Sequence, residues 1–94
     1  MPSKDDNSVY IGKRPTTDYV LAAMMLLNQG KECIIKARGK TISHAVDVAE
    51  VLRHRYMQDV EVKNIKIDTE NVTNKEGKES SVSAIEILLV KKKV

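Results

Sequence analysis

Glu32-Cys33-Ile34-Ile35-Lys36-Ala37-Arg38-Gly39-Lys40-Thr41-Ile42 decides the fold, because it passes from strand to helix through one short basic turn. Residues 32–37 hold the run Cys33-Ile34-Ile35, apolar on both faces, as expected of a central strand. Beyond the turn, Thr41 or Ser43 can cap a helix. Its apolar positions Ile42, Ala45, Val46, Ala49, Leu52 and Tyr56 share one stripe, with Val48 and Val51 off it. That second small patch hints at self-association.

The same pattern lies upstream. Ser8-Val9-Tyr10-Ile11 has strand composition and stops at Gly12-Lys13-Arg14-Pro15. Pro15 is suited to open a helix, where its missing N–H costs nothing, and Asp18 complements the first turn. Tyr19, Val20, Ala23, Met24 and Leu27 recur at helical spacing, and Gly30 stands where a left-handed cap is expected, predicting a helix over 15–29. Residues 1–7 are polar and read as a flexible tail, leaving 8–94 as a single domain. Downstream, Val60 and Val62 alternate, then Ile65 and Ile67. The change of phase at Lys63-Asn64 predicts a bulge in a long strand over 60–67. Residues 82–90 are its partner, and Asn74-Lys75-Glu76-Gly77-Lys78 is the hairpin tip. Arms of some nine residues would reach about 30 Å, so the tip should project. The order βαβαββ, with a right-handed first crossover, predicts an α+β two-layer sandwich: both helices on one face of a four-stranded mixed sheet, with a long protruding hairpin.

The charge is local. The chain has 16 Lys and Arg against 13 Asp and Glu, and the two basic junctions supply Lys13, Arg14, Lys36, Arg38 and Lys40 with no carboxylate among them. The remainder is 11 against 13, net −2, so a pI near 9.0 arises from two turns. Each turn leads into a helix N-terminus, whose free N–H groups and dipole attract phosphate. This pattern points to a polyanion-binding surface.

Other classes are disfavoured. At 94 residues the chain has room for one domain, which buries roughly two-thirds of its unfolded surface. The longest apolar run, residues 20–27, is far short of a membrane span, and residues 1–7 lack the apolar stretch of a secretory signal. A cytoplasmic location is therefore expected. The single Cys33, flanked by Ile34 and Ile35, reads as core filling. His44 and His54 stand about 280° apart on one helix, so they cannot share a metal and read as exposed positions. Gly39-Lys40-Thr41 copies the end of a phosphate-binding loop, but Ile34 occupies the place of its first glycine. No catalytic set, metal site or cofactor motif is evident. Base readout has little support either, with no Phe or Trp and with Tyr10 and Tyr19 reading as core or rim. Arg53-His54-Arg55-Tyr56 fits either dipole-complementing charge or a contact patch, and Lys91-Lys92-Lys93 reads as a solvated terminus.

Ile11-Gly12-Lys13-Arg14-Pro15, Tyr19-Val20-Leu21-Ala22-Ala23, Leu27-Asn28-Gln29-Gly30 and residues 35–47, continued by Arg53-His54-Arg55-Tyr56 and Ser83-Ala84-Ile85-Glu86-Ile87, resemble the Alba family of archaeal chromatin proteins. The resemblance implies a homodimer that binds double-stranded DNA and often RNA, without enzymatic activity or cofactor, and is associated with the chromosome. It implies that Lys13 and Arg14 lie at the centre of the nucleic-acid face, with Lys36, Arg38 and Lys40 beside them and the hairpin lysines Lys75 and Lys78 reaching along the groove. Lys13 matches a lysine whose acetylation weakens binding, which makes a deacetylase an expected partner. Tyr56 matches an aromatic through which dimers pack side by side, so Arg53, Arg55 and Tyr56 become candidate dimer–dimer contacts. RNA binding in translation or RNA processing, as in an assembly subunit of ribonuclease P, is the alternative function. One departure stands out: the hairpin over 69–81 sets Glu70, Glu76 and Glu79 against Lys75 and Lys78, net −1, where family hairpins are commonly basic.

Overall fold

The structure is a computed structural model that describes residues 7–92; residues 1–6 of the tail expected over 1–7, and Lys93, lie outside it. In chain order the elements are β1 (Ser8–Tyr10), α1 (Thr16–Asn28), β2 (Cys33–Arg38), α2 (Ile42–Val51), β3 (Val60–Thr73) and β4 (Glu79–Lys91). A single 3-10 turn, Gly39–Thr41, precedes α2, and one wide π-type turn, Leu52–Tyr56, continues it. The sheet is four-stranded and mixed, as the βαβαββ pattern predicts; its strand order is β1-β2-β4-β3, with β1 parallel to β2 and the other pairs antiparallel.

Both helices cover one face. There Val9, Ile35, Ala37, Ile87 and Leu89 meet Tyr19, Val20, Ala23 and Leu27 of α1 and Ala45, Val48, Ala49 and Leu52 of α2. Val48 belongs to this core, while Val46 and Tyr56 are exposed, which corrects the stripe read from sequence. In Val46's case the reason is position: its flank of α2 opens onto a groove beside β3. In Tyr56's case it is the wide turn, where Met57 N–H donates to the Leu52 carbonyl five residues back. The extra residue in that turn rotates Tyr56 off the α2 stripe. Cys33 is fully buried, and burial pushes its thiol up to about 12, in keeping with core filling.

The bulge falls where the phase change put it, between Val62 and Asn64. Its effect is directional. Val62 pairs with Leu89, Ile65 with Ile87 and Ile67 with Ile85, so all three stay on the helix side of the sheet despite the odd spacing. No helix reaches that far across, and Ile65 and Ile67 remain exposed. Both hairpin arms are longer than expected, 14 and 13 residues. Beyond the Arg38–Ala84 pair, β2 ends and the hairpin continues as two strands alone. The principal extents of 51 × 26 × 23 Å reflect that projecting arm.

Candidate nucleic-acid interface

Parallel pairing of β1 and β2 puts their C-terminal ends, and therefore both basic junctions, at one end of the sheet. β4 runs the other way, so the hairpin projects from that same end. The two helix starts are tied together: Thr16 Oγ1 lies 3.0 Å from His44 Nε2. His44 is half-buried and meets the Tyr19 ring edge-on at 5.6 Å, which corrects the expectation of an exposed residue; His54 is exposed as expected.

The first junction is held by Tyr19, whose hydroxyl accepts from Gly12 N–H at 2.8 Å and from Arg14 N–H at 3.0 Å. A Cβ at Gly12 would come within 3.3 Å of that hydroxyl, so the glycine serves close approach. Pro15 is extended and precedes the helix, which starts at Thr16. The second junction is held by Thr41: Arg38 N–H donates to its hydroxyl at 3.2 Å, and the hydroxyl donates to the Arg38 carbonyl at 2.8 Å. Thr41 thus clamps the turn and makes no side-chain cap on α2. Gly39 sits at φ 61°, a conformation side chains disfavour.

The junctions lack carboxylates in sequence, yet the fold brings three to them. Arg14 lies 3.6 Å from Asp18, Lys36 3.9 Å from Glu86 and Arg38 3.0 Å from Glu70. Pairs open to solvent contribute about 0–1 kcal/mol, and here only the Lys36 side chain is half-buried, so a phosphate can replace the carboxylate. Lys13 and Lys40 are exposed and, among the described residues, no carboxylate lies within ion-pair distance of either. Sequence spacing gives no sign of Glu70 or Glu86, because only strand register brings them here.

Lys75 and Lys78 sit at the hairpin tip, away from the junctions, in a turn whose Asn74 side chain accepts from Glu76 N–H at 2.9 Å and Lys78 N–H at 3.0 Å. Arg53 is folded onto Glu50 at 2.6 Å, while Arg55 and Tyr56 point outward from the wide turn. Lys91 lies within β4, 3.8 Å from Asp59, so the terminal lysines are not all a solvated tail. Among the described residues, no cluster of His, Cys, Asp and Glu could hold a metal, and no helix is long and apolar enough to cross a membrane.

The sequence pattern that defines the Alba family matches residues 7–69, from before β1 into the hairpin. The DNA/RNA-binding protein Alba of Methanocella arvoryzae is 50% identical over 86 residues, covering 90% of both chains. Alba 1 of Archaeoglobus fulgidus, also named a DNA/RNA-binding protein, is 52% identical over 88 residues, covering 93% of this chain and 98% of its own. Among solved structures, Alba from Thermoplasma volcanium superposes with a TM-score of 0.84 at 48% identity, over 90% of this chain and all of its own. ALBA1 from Trypanosoma brucei follows at 0.73 and 33%, over 96% and 73%. On sequence and fold together, this chain belongs to the Alba family.

Proposed function

We propose that this chain is a dimeric, non-enzymatic chromatin protein that binds double-stranded DNA mainly through phosphate contacts and compacts or organises it on the chromosome, in the cytoplasm. The observation that carries this is the meeting of both basic junctions at two tethered helix starts, with Lys13 and Lys40 free of carboxylate partners among the described residues. Arg14, Lys36 and Arg38 join them by exchanging a carboxylate for a phosphate. The names of the relatives, DNA/RNA-binding proteins, support the ligand class. Lys75 and Lys78 reach the groove only weakly, since Glu76 and Glu79 flank them.

The apolar groove formed by Val46, Ala49, Val62, Ile65 and Ile87 supports dimerisation, because a second copy would cover side chains that the bulge holds on an uncovered face. Arg53, Arg55 and Tyr56 serve contacts between dimers, and acetylation of Lys13, reversed by a deacetylase, would lower affinity by deleting an unpaired charge.

A salt titration tests the proposal. If about five phosphates are neutralised per protomer, log affinity falls against log salt with slope near −4 to −5, a loss of roughly 10²- to 10³-fold between 50 and 200 mM. Lys13→Gln should lower the slope by about one, and Lys13→Glu with Arg14→Glu should abolish most binding. Salt-independent affinity, or no loss in the double variant, overturns the reading. The relatives' names cover RNA as well, and competition between duplex DNA and structured RNA at equal salt decides between chromatin and RNA-processing roles.

A further inference from the structure

We propose that the open face of the sheet carries a subsite for an unpaired nucleobase, stacked on Tyr10; the inference rests on the nucleic-acid reading above and names a second ligand form for it. Tyr10 is the last residue of edge strand β1, and the residue is 65% exposed, on the face opposite the helices. The core residues Val9 and Ile11 on either side of it point inward. An exposed aromatic on a sheet is costly to hydration unless it meets a partner, and nucleobases are the planar partner that basic surfaces recruit.

The surroundings fit a strand of nucleic acid. Lys36 Nζ lies over one side of the Tyr10 ring, 5.6 Å from its centroid, so a base stacking on that side takes the place of the ammonium, which swings to the strand's phosphate; Arg38 follows on the same face of β2. Tyr10, Lys36, Arg38, Ala84, Glu70 and Glu86 line a shallow cavity of about 400 Å³. Glu86 and Glu70 pair with the two cations at 3.9 and 3.0 Å, which keeps positive charge on the flanks of the ring and leaves it exchangeable for phosphate. Lys36 and Arg38 therefore belong to two surfaces at once: the junction cluster that takes phosphates, and the rim of the aromatic platform. A strand whose phosphates cross the junctions can lay its next base on Tyr10. In a duplex the base faces are already stacked, so only single strands, loops or melted segments can use this platform.

The test uses the full chain and three probes of one length: a single-stranded oligonucleotide, the same strand with abasic sites, and the duplex. Tyr10→Ala should weaken binding to the base-containing single strand about 5- to 150-fold, with duplex and abasic affinities within about twofold of the parent chain. Tyr10→Phe should keep most of the affinity. Of the three tyrosines, and with no Trp in the chain, Tyr10 should account for quenching of tyrosine fluorescence by the single strand, and Tyr10→Phe should remove it. Equal losses on all three probes, or no loss on any, overturn the subsite. Duplex binding with the expected salt slope beside an unaffected Tyr10→Ala rejects this inference alone, whereas a parent chain that binds no probe rejects the nucleic-acid reading itself.

Discussion

The Tyr19 hydroxyl accepts a hydrogen bond from the Arg14 backbone N–H at 3.0 Å and a second from Gly12 at 2.8 Å, so a core side chain fixes the loop that carries Lys13 and Arg14. Tyr19→Phe keeps the ring in the core and leaves both N–H groups to water or to nothing. The expected cost is about 1–2 kcal/mol of stability, the penalty for unpaired part-buried donors. DNA affinity should fall about 3- to 10-fold, because two cations lose their preset position. Thermal unfolding together with a binding titration checks both. An unchanged affinity would mean that the loop needs no anchoring to present its charges.

Arg38 and Glu70 stand 3.0 Å apart across the base of the hairpin, and both are substantially exposed. Glu70→Gln removes one acidic charge from the binding end and releases Arg38 for phosphate. Stability should change by less than about 1 kcal/mol. Affinity for duplex DNA should rise, by about 3- to 10-fold at low salt, and the gain should shrink as salt increases. A fall in affinity would show that Glu70 positions Arg38 for its ligand and does not compete with it.

These two cases show where sequence reading succeeds and stops. Element order, the bulge at Val62–Asn64 and the siting of both basic turns follow from local patterns: alternation, helical spacing, glycine and proline. The acids that meet the cations do not, since Glu70 is 32 residues from Arg38 and is brought there only by the register of β3 on β4. Val46, exposed, and Val48, buried, depart from the helical stripe for a related reason. Both border the shared stripe of Ala45, Ala49 and Leu52, and periodicity cannot tell which flank of a helix the fold will close. Tyr56 leaves the stripe because of a wide turn that no spacing rule anticipates.

Ile65 and Ile67 are 55% and 78% exposed, on a face where the bulge keeps them in line with the core residues Ile87 and Ile85. If a second copy covers this face, Ile65→Asp with Ile67→Asp should yield a folded monomer, because neither side chain is buried within one chain. Sedimentation at micromolar concentrations should show the parent at twice the monomer mass and the variant at the monomer mass, with native circular dichroism. Duplex affinity should drop as well, since two linked binding ends gain from effective concentration. A monomeric parent chain would remove dimerisation from the proposal.

Cys33 supplies a pH dependence whose sign can be worked out. Burial raises its thiol from 9.0 to about 12 in the folded chain, so between those values the unfolded chain has lost a proton that the folded chain keeps. Below pH 9 this group has no pH-dependent effect; as pH rises through the window, ionisation increasingly favours the unfolded state, at up to about 1.4 kcal/mol per pH unit. The comparison is with Cys33→Ala, which removes this thiol and leaves every other side chain in place. That variant should be less stable at pH 7 through the small cavity it leaves, yet lose less stability than the parent between pH 8 and 10.5, as measured by urea unfolding. A thiol reagent should label Cys33 of the parent only after unfolding. Parallel pH profiles for parent and variant, or fast labelling of the native chain, would mean that the sulfur reaches solvent.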